Sequence, residues 1–211
     1  MTELVFIIDK SGSMAGLEKD TVGGFNSMIA KQKKEAGGCY VSTVLFDSQT
    51  RVIHDRLPLE RVPELTEREY CACGCTALLD ALGGAVSHIG NIHKYARAED
   101  VPQKTLFVIT TDGLENASRR FDYDKVRKMI ERQKEKYGWE FLFLGANIDA
   151  AAEAKRFGIS ADRAVNYKCD REGTALNYRV IGDAVCNVRA CKPLSADWKK
   201  SIDEDVKNRS R

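Results

Sequence analysis

Short runs of uninterrupted apolar residues alternate along the chain with longer stretches in which apolar positions recur three and four apart. The runs Leu4–Asp9, Tyr40–Phe46, Thr105–Thr110 and Glu140–Leu144 are apolar on both faces, as strands buried within a parallel sheet are. Between and after them, Leu17–Lys34, Thr76–Tyr95, Tyr123–Tyr137, Ile148–Phe157 and Thr174–Ala190 have helical period. This alternation predicts an α/β fold, a parallel sheet covered by helices. Thr50–Asp55 instead alternates polar and apolar, and it follows Phe46 after only Asp47-Ser-Gln. That turn is too short for a parallel crossover, so the segment is expected to pair antiparallel at the sheet edge. A weak sixth strand is expected near Arg163–Asn166.

In the second helical stretch Leu78, Leu79, Leu82, Val86 and Ile89 form the inward stripe, and Gly83-Gly84 is expected to let the helix approach the sheet closely. His88 and His93 read as surface or helix-end residues. Residues 1–195 read as one domain and 196–211 as a polar tail or short helix, with no repeat or linker between elements.

Composition narrows the function classes. The 211 residues are 43% apolar and 30% charged, and 33 Lys plus Arg against 31 Asp plus Glu leave a net charge of +2. The signs are interspersed, so no nucleic-acid or membrane-surface partner is implied. The longest clean apolar run, Leu4–Ile8, falls far short of the roughly 20 residues a membrane span needs. With no charged leader and cleavage site before it, the chain is expected to be neither membrane-spanning nor secreted. Seven cysteines, an odd set in a chain large enough to bury its own core, argue against a disulfide framework and for a reducing, cytoplasmic location. Cys71, Cys73 and Cys75 lack the paired C-x-x-C spacing or nearby His of a zinc site and read as small residues in a tight loop. Cys186 and Cys191 are expected on one helix as core residues.

Three segments carry candidate chemistry. Asp9-Lys10-Ser11-Gly12-Ser13 follows the first strand, with a carboxylate and two hydroxyls at alternate positions. Thr110-Thr111-Asp112-Gly113 ends a second strand, and strand carboxyl ends are where open α/β sheets bind ligands. In Gly74-Cys75-Thr76, Gly74 permits a tight loop and Thr76 stands near a helix start, free to cap or to coordinate. Oxygen donors without a His or thiolate partner suit a hard cation, Mg2+ in octahedral geometry at about 2.0–2.1 Å, for which Mn2+ or Ca2+ can substitute. If the hydroxyls bind directly and the carboxylates act partly through water, the ion keeps positive charge and an open position for a carboxylate from another molecule. Asp80 reads as a helix N-terminal acid, Asp47 and Asp55 as hairpin turn residues; Glu115 and Asn116 lie near the rim with no assigned place.

These segments resemble the von Willebrand factor A domain family, whose metal-ion-dependent adhesion site is written D-x-S-x-S, then Thr, then Asp. The match falls on Asp9, Ser11, Ser13, Thr76 and Asp112, and the similarity in element order runs from about Leu4 to Ala190. Asp-x-Ser-Gly-Ser-Met, Thr-Ala-Leu-Leu-Asp-Ala-Leu and Thr-Thr-Asp-Gly are like the stand-alone bacterial and phage members. The resemblance implies a three-layer, doubly wound Rossmann-like sheet of order 3-2-1-4-5-6 with strand 3 antiparallel. It implies hydroxyl ligands at Ser11, Ser13 and Thr76, with Asp9 and Asp112 binding directly or through water. It also implies a non-enzymatic module that docks an Asp or Glu of a protein partner, and some members move their last helix on binding. Two alternatives stand beside it. A Mg2+-dependent hydrolase or phosphotransferase would use Asp9 as nucleophile, although Ser11 occupies the place of the second acid in an Asp-x-Asp pair. A metal-free interaction domain would leave the five oxygens bonded to one another.

Overall fold

The computed structural model describes residues 1–209. Six strands, β1 (Thr2–Asp9), β2 (Cys39–Phe46), β3 (Thr50–Pro58), β4 (Lys104–Thr111), β5 (Glu140–Gly145) and β6 (Ala164–Asn166), form one sheet in the order β3-β2-β1-β4-β5-β6. All neighbours are parallel except β2 and β3, the antiparallel edge hairpin. The helices are α1 (Glu18–Gln32), α2 (Leu78–Tyr95), α3 (Tyr123–Tyr137), α4 (Ala150–Arg156), α5 (Arg171–Arg189) and α6 (Lys200–Arg209).

The period of two along β1 builds the layers. Leu4, Phe6 and Ile8 point to one face, where Phe25 of α1, Ile181 and Val185 of α5 and Ile202 of α6 cover them. Val5 and Ile7 point to the other, against Leu82 and Val86 of α2, Val126 and Ile130 of α3 and Ala154 of α4. Both faces of the central strands are therefore dry, which is why their sequences carry no polar alternation. Register then aligns the strand ends: Ile8 lies opposite Thr110 and Asp9 opposite Phe46, so Asp9 and Thr111 finish level with each other.

Several expected boundaries move for local reasons. Helix α5 begins at Arg171, because the Asp170 carboxylate accepts from the Gly173 amide and caps the first turn. Helix α4 is shorter than its apolar pattern, starting at Ala150 behind the Asp149 cap. Thr76 lies two residues before α2 and makes no cap. Gly83 serves a contact other than the expected one: a Cβ there would lie 2.5 Å from the Phe121 ring, not against the sheet, and one at Gly84 would meet nothing within 4 Å. Cys191 is not a core residue, since it is exposed beyond the end of α5 at φ +55°. His93 ends α2 packed edge-on to Trp139 and bonded to the buried Glu3.

Residues 196–209 are not frayed. Ile202 is buried in the core, Trp198 donates to the Asp162 carbonyl, and Arg209 pairs with Asp170 and Asp205. Ser210 and Arg211 lie outside the described residues. Among the described residues no helix is long and apolar enough to cross a membrane.

Candidate metal centre

The chain turns sharply after β1 because the Ser11 amide donates to Asp9 Oδ1 at 2.7 Å, a side-chain-stabilised turn that brings both serines to one side. Ser11 Oγ and Ser13 Oγ are 3.1 Å apart, and Ser13 Oγ donates to Asp112 Oδ1 at 2.6 Å. The second loop is laced to the first, Gly12 N to Gly74 O at 3.0 Å and Cys73 N to Lys10 O at 2.9 Å, which carries Thr76 to the same end of the sheet. Thr76 is held by two bonds with Asn116: its amide donates to Asn116 Oδ1, and the Asn116 amide donates to its carbonyl. The Thr76 hydroxyl makes no hydrogen bond among the described residues; it flanks Gly113, where a Cβ would lie 3.6 Å from it and 4.0 Å from Ser13 Oγ. Four of the five predicted donors, Asp9, Ser11, Ser13 and Asp112, thus form one bonded group, and Thr76 borders it.

The group is graded in depth. Asp9, Ser11, Thr76 and Asp112 are buried, while Ser13 is exposed and marks the opening. Asp9 is fixed from behind: Thr111 Oγ1 donates to its Oδ2 at 2.6 Å, and the Tyr70 hydroxyl donates to its carbonyl at 2.5 Å. Burial raises the Asp9 carboxyl above its ordinary pKa and the Asp112 charge adds to this, against the opposing bonds from Thr111 and Ser11. Lys10, although next in sequence, points away to pair with Asp47. Among the described residues no Lys or Arg bonds to either carboxylate, so two buried acids stand in one bonded group without a cationic partner.

These residues fit a small hard cation. Two oxygens at about 2.1 Å from one octahedral ion and at right angles to each other stand about 3.0 Å apart, and the serine hydroxyls stand 3.1 Å apart. Among the described residues no three His, Cys, Asp or Glu side chains converge as a metal site, so any ion here depends on the hydroxyls. Cys71, Cys73 and Cys75 are exposed free thiols and do not form one.

Sequence reading missed four supporting residues. Thr111 was visible beside Asp112, but nothing along the chain says that it reaches Asp9. Tyr70 and Cys169 arrive from distant loops; Cys169 Sγ lies 3.8 Å from Asp112 Oδ2, and burial together with Asp112 pushes its thiol up to about 12. Glu115 accepts from the Leu79, Ala117 and Ser118 amides, holding its loop onto the start of α2 beside Asn116. Asp80 lies in the first turn of α2, as expected of a helix N-terminal acid, and also accepts from the Arg119, Arg120 and Phe121 amides; these bonds lower its pKa despite burial, which opposes them.

Among solved structures, the chain is similar to the von Willebrand factor type A protein from Catenulispora acidiphila, at 16% identity and TM-score 0.62, over 88% of this chain and 43% of that one. The fold is that of von Willebrand factor A domains. Proximal thread matrix protein 1 from the mussel byssus, solved with a zinc-occupied MIDAS motif, aligns at 13% identity and TM-score 0.59, covering 88% of this chain and 46% of its own. The von Willebrand factor domain of a type V pili tip protein from Porphyromonas gingivalis aligns at 13% identity and TM-score 0.58, covering 87% and 94%. This A-domain fold spans less than half the length of the first two proteins. No family model and no curated protein matches the chain.

Proposed function

We propose that the chain is a non-enzymatic protein-interaction module. A divalent cation, Mg2+ first with Mn2+ or Ca2+ as substitutes, is held by Asp9, Ser11, Ser13, Thr76 and Asp112 and docks an Asp or Glu carboxylate of a protein partner. The observation that carries this reading is the bonded group of Ser11, Ser13 and Asp112, which runs from the exposed Ser13 to buried acids that have no cationic partner among the described residues. The chain's own residues supply position: Thr111 and the Ser11 amide occupy Asp9, and Ser13 presents Asp112 to the opening. The ion supplies the positive charge a carboxylate needs. An assembly or regulatory role suits such a module. Seven free cysteines support a cytoplasmic setting as part of the proposal.

Isothermal titration of EDTA-stripped protein with Mg2+ and Mn2+ tests the reading, with a Ser11→Ala/Ser13→Ala double variant alongside. One ion per chain bound by the wild type alone supports it. No binding, or equal binding by the variant, overturns it. Turnover of a phosphate ester that is abolished by Asp9→Asn would favour the hydrolase instead.

A further inference from the structure

We propose that the groove between α2 and α3 is a second interaction surface, which takes an acidic amphipathic helix of a protein partner without using the metal. Its place follows from chain direction. Both helices start at the strand end that carries Asp112 and run to the opposite end of the sheet. There a Cβ on Gly90 would lie 3.9 Å from Trp139, the residue before β5, and His93 packs on the same ring. The eight residues of β4 set the two ends about 25 Å apart, so an acid seated at the candidate metal centre does not reach the groove.

The groove holds about 270 Å3 over Val86 and Met129, and its walls carry Lys94 and Arg132 but no acid. Arg132 belongs to a row on α3, Lys125, Lys128, Arg132 and Lys136, spaced three and four apart and about 16 Å long. Among the described residues neither these four nor Lys94 forms an ion pair, whereas Arg127 on a neighbouring face of α3 pairs with Glu131. The ammonium groups of Lys94 and Lys136 lie instead 4.9 Å and 5.4 Å from the centres of the Tyr95 and Tyr137 rings. Those tyrosines are 78% and 50% exposed at the same end of the two helices. Aromatic rings left in water beside an apolar-floored groove mark a protein interface. The row of unpaired cations makes the complementary partner acidic, and its spacing matches acids along one face of a helix laid into the groove. Nucleic acid fits less well, because Asp124, Glu131 and Glu135 form a row beside the cations and would repel a phosphate backbone.

The probe is a synthetic, fluorescein-labelled amphipathic helix with Glu along one face and Leu beside it, titrated against the full chain in EDTA and followed by fluorescence anisotropy. A scrambled peptide of the same composition and a DNA duplex are the comparisons. The expected result is that the helical peptide binds best and that added salt weakens it. Lys94→Glu/Arg132→Glu weakens it at least about tenfold. The charge-matched Lys200→Glu/Lys207→Glu on α6 and the Ser11→Ala/Ser13→Ala variant bind it as wild type does. Circular dichroism melting of each variant checks that the fold is kept. No binding of the helical peptide overturns the proposal, as does equal loss in the two charge-reversed variants, which would make the effect one of net charge. Equal binding of the scrambled peptide, or tighter binding of the duplex, overturns the helical acidic partner. Self-association in sedimentation that Lys94→Glu/Arg132→Glu abolishes would replace that partner with a second copy of the chain. Because every titration is made in EDTA, failure here leaves the metal reading standing, and failure of the metal reading leaves this groove untouched.

Discussion

Thr111→Val isolates the support behind the candidate site. Valine keeps the shape of threonine, so it opens no cavity, and what is lost is chiefly the 2.6 Å bond from Thr111 Oγ1 to Asp9 Oδ2, between two residues that are at most 1% exposed, along with the longer contacts of the same hydroxyl with Gly113 O at 3.1 Å and Gly113 N at 3.4 Å. A hydrogen bond to a buried charged group contributes about 1.5–3 kcal/mol. At about 2 kcal/mol, and about 2–4 °C per kcal/mol for a chain of this length, the EDTA-treated variant should melt about 4–8 °C below wild type. The same bond orients Asp9 toward the ion, and such supporting contacts change metal affinity by about 10–100-fold. A tenfold weaker affinity removes about 1.4 kcal/mol of the stabilisation that saturating Mg2+ provides. The gap between variant and wild type should therefore widen by about 3–5 °C when Mg2+ is added. Thermal unfolding followed by circular dichroism, with EDTA and with Mg2+, reads both quantities, and Thr111→Ser, which retains the hydroxyl, should recover most of each. Equal melting in EDTA would refute the reasoning about the buried bond. A gap that Mg2+ does not widen would refute the claim that Asp9 is being aimed.

Gly84→Ala should stabilise by about 0.5–1 kcal/mol through helix propensity, since a Cβ there meets nothing, whereas Gly83→Ala should destabilise by about 1–3 kcal/mol against the Phe121 ring. Urea unfolding of the pair checks the contrast, and matching signs would contradict it. Burial pushes the Cys39 thiol from 9.0 up to about 12, so the folded chain keeps a proton that the unfolded chain releases. Stability is then lost as pH rises between those values, by about 1.4 kcal/mol at pH 10; Cys39→Ala should lack that increment in denaturant titrations at pH 8 and pH 10. Ile202→Ala should cost about 2–4 kcal/mol and expose α6 to limited proteolysis, because Ile202 anchors it to the core. An unchanged digestion pattern would show that α6 docks by its ion pairs alone.

The sheet was legible because burial on both faces writes itself as continuous apolar runs, and because three intervening residues between Phe46 and Thr50 admit only a hairpin. Helix α3 was legible to the residue, bounded by the Asp122 cap and the left-handed Gly138. The start of α5 was not, since its first turn, Arg171-Glu172-Gly173, has no apolar stripe and owes its helicity to Asp170. The site divides the same way. Asp9, Ser11, Ser13 and Asp112 follow strand ends directly, so the order of strands is enough to suggest that they meet. Tyr70 and Cys169 reach the site from residues 61 and 57 positions away from their partners, Asp9 and Asp112, and that closeness exists only after the loops pack.

Under the proposed reading, the depth of each acid divides the work of the site. Asp9 spends both carboxylate oxygens on protein donors, Ser11 N and Thr111 Oγ1, and so its charge acts on the ion without filling every place around it. Asp112 is drawn toward the opening by Ser13, the one exposed member of the set. An ion held chiefly by neutral hydroxyls keeps more of its positive charge than one ringed by carboxylates, which is what makes it receptive to a partner's acid. Two residues beyond Asp112, Leu114 is 55% exposed, a large apolar side chain left in water beside a polar site. A partner that presented a carboxylate alone would use the ion and leave this leucine wet. One that placed an apolar residue beside its acid would bury it as well, so contact at Leu114 discriminates among acidic partners where the ion alone cannot. With a net charge of only +2, the chain offers little long-range steering, so selection falls to these contacts at the rim.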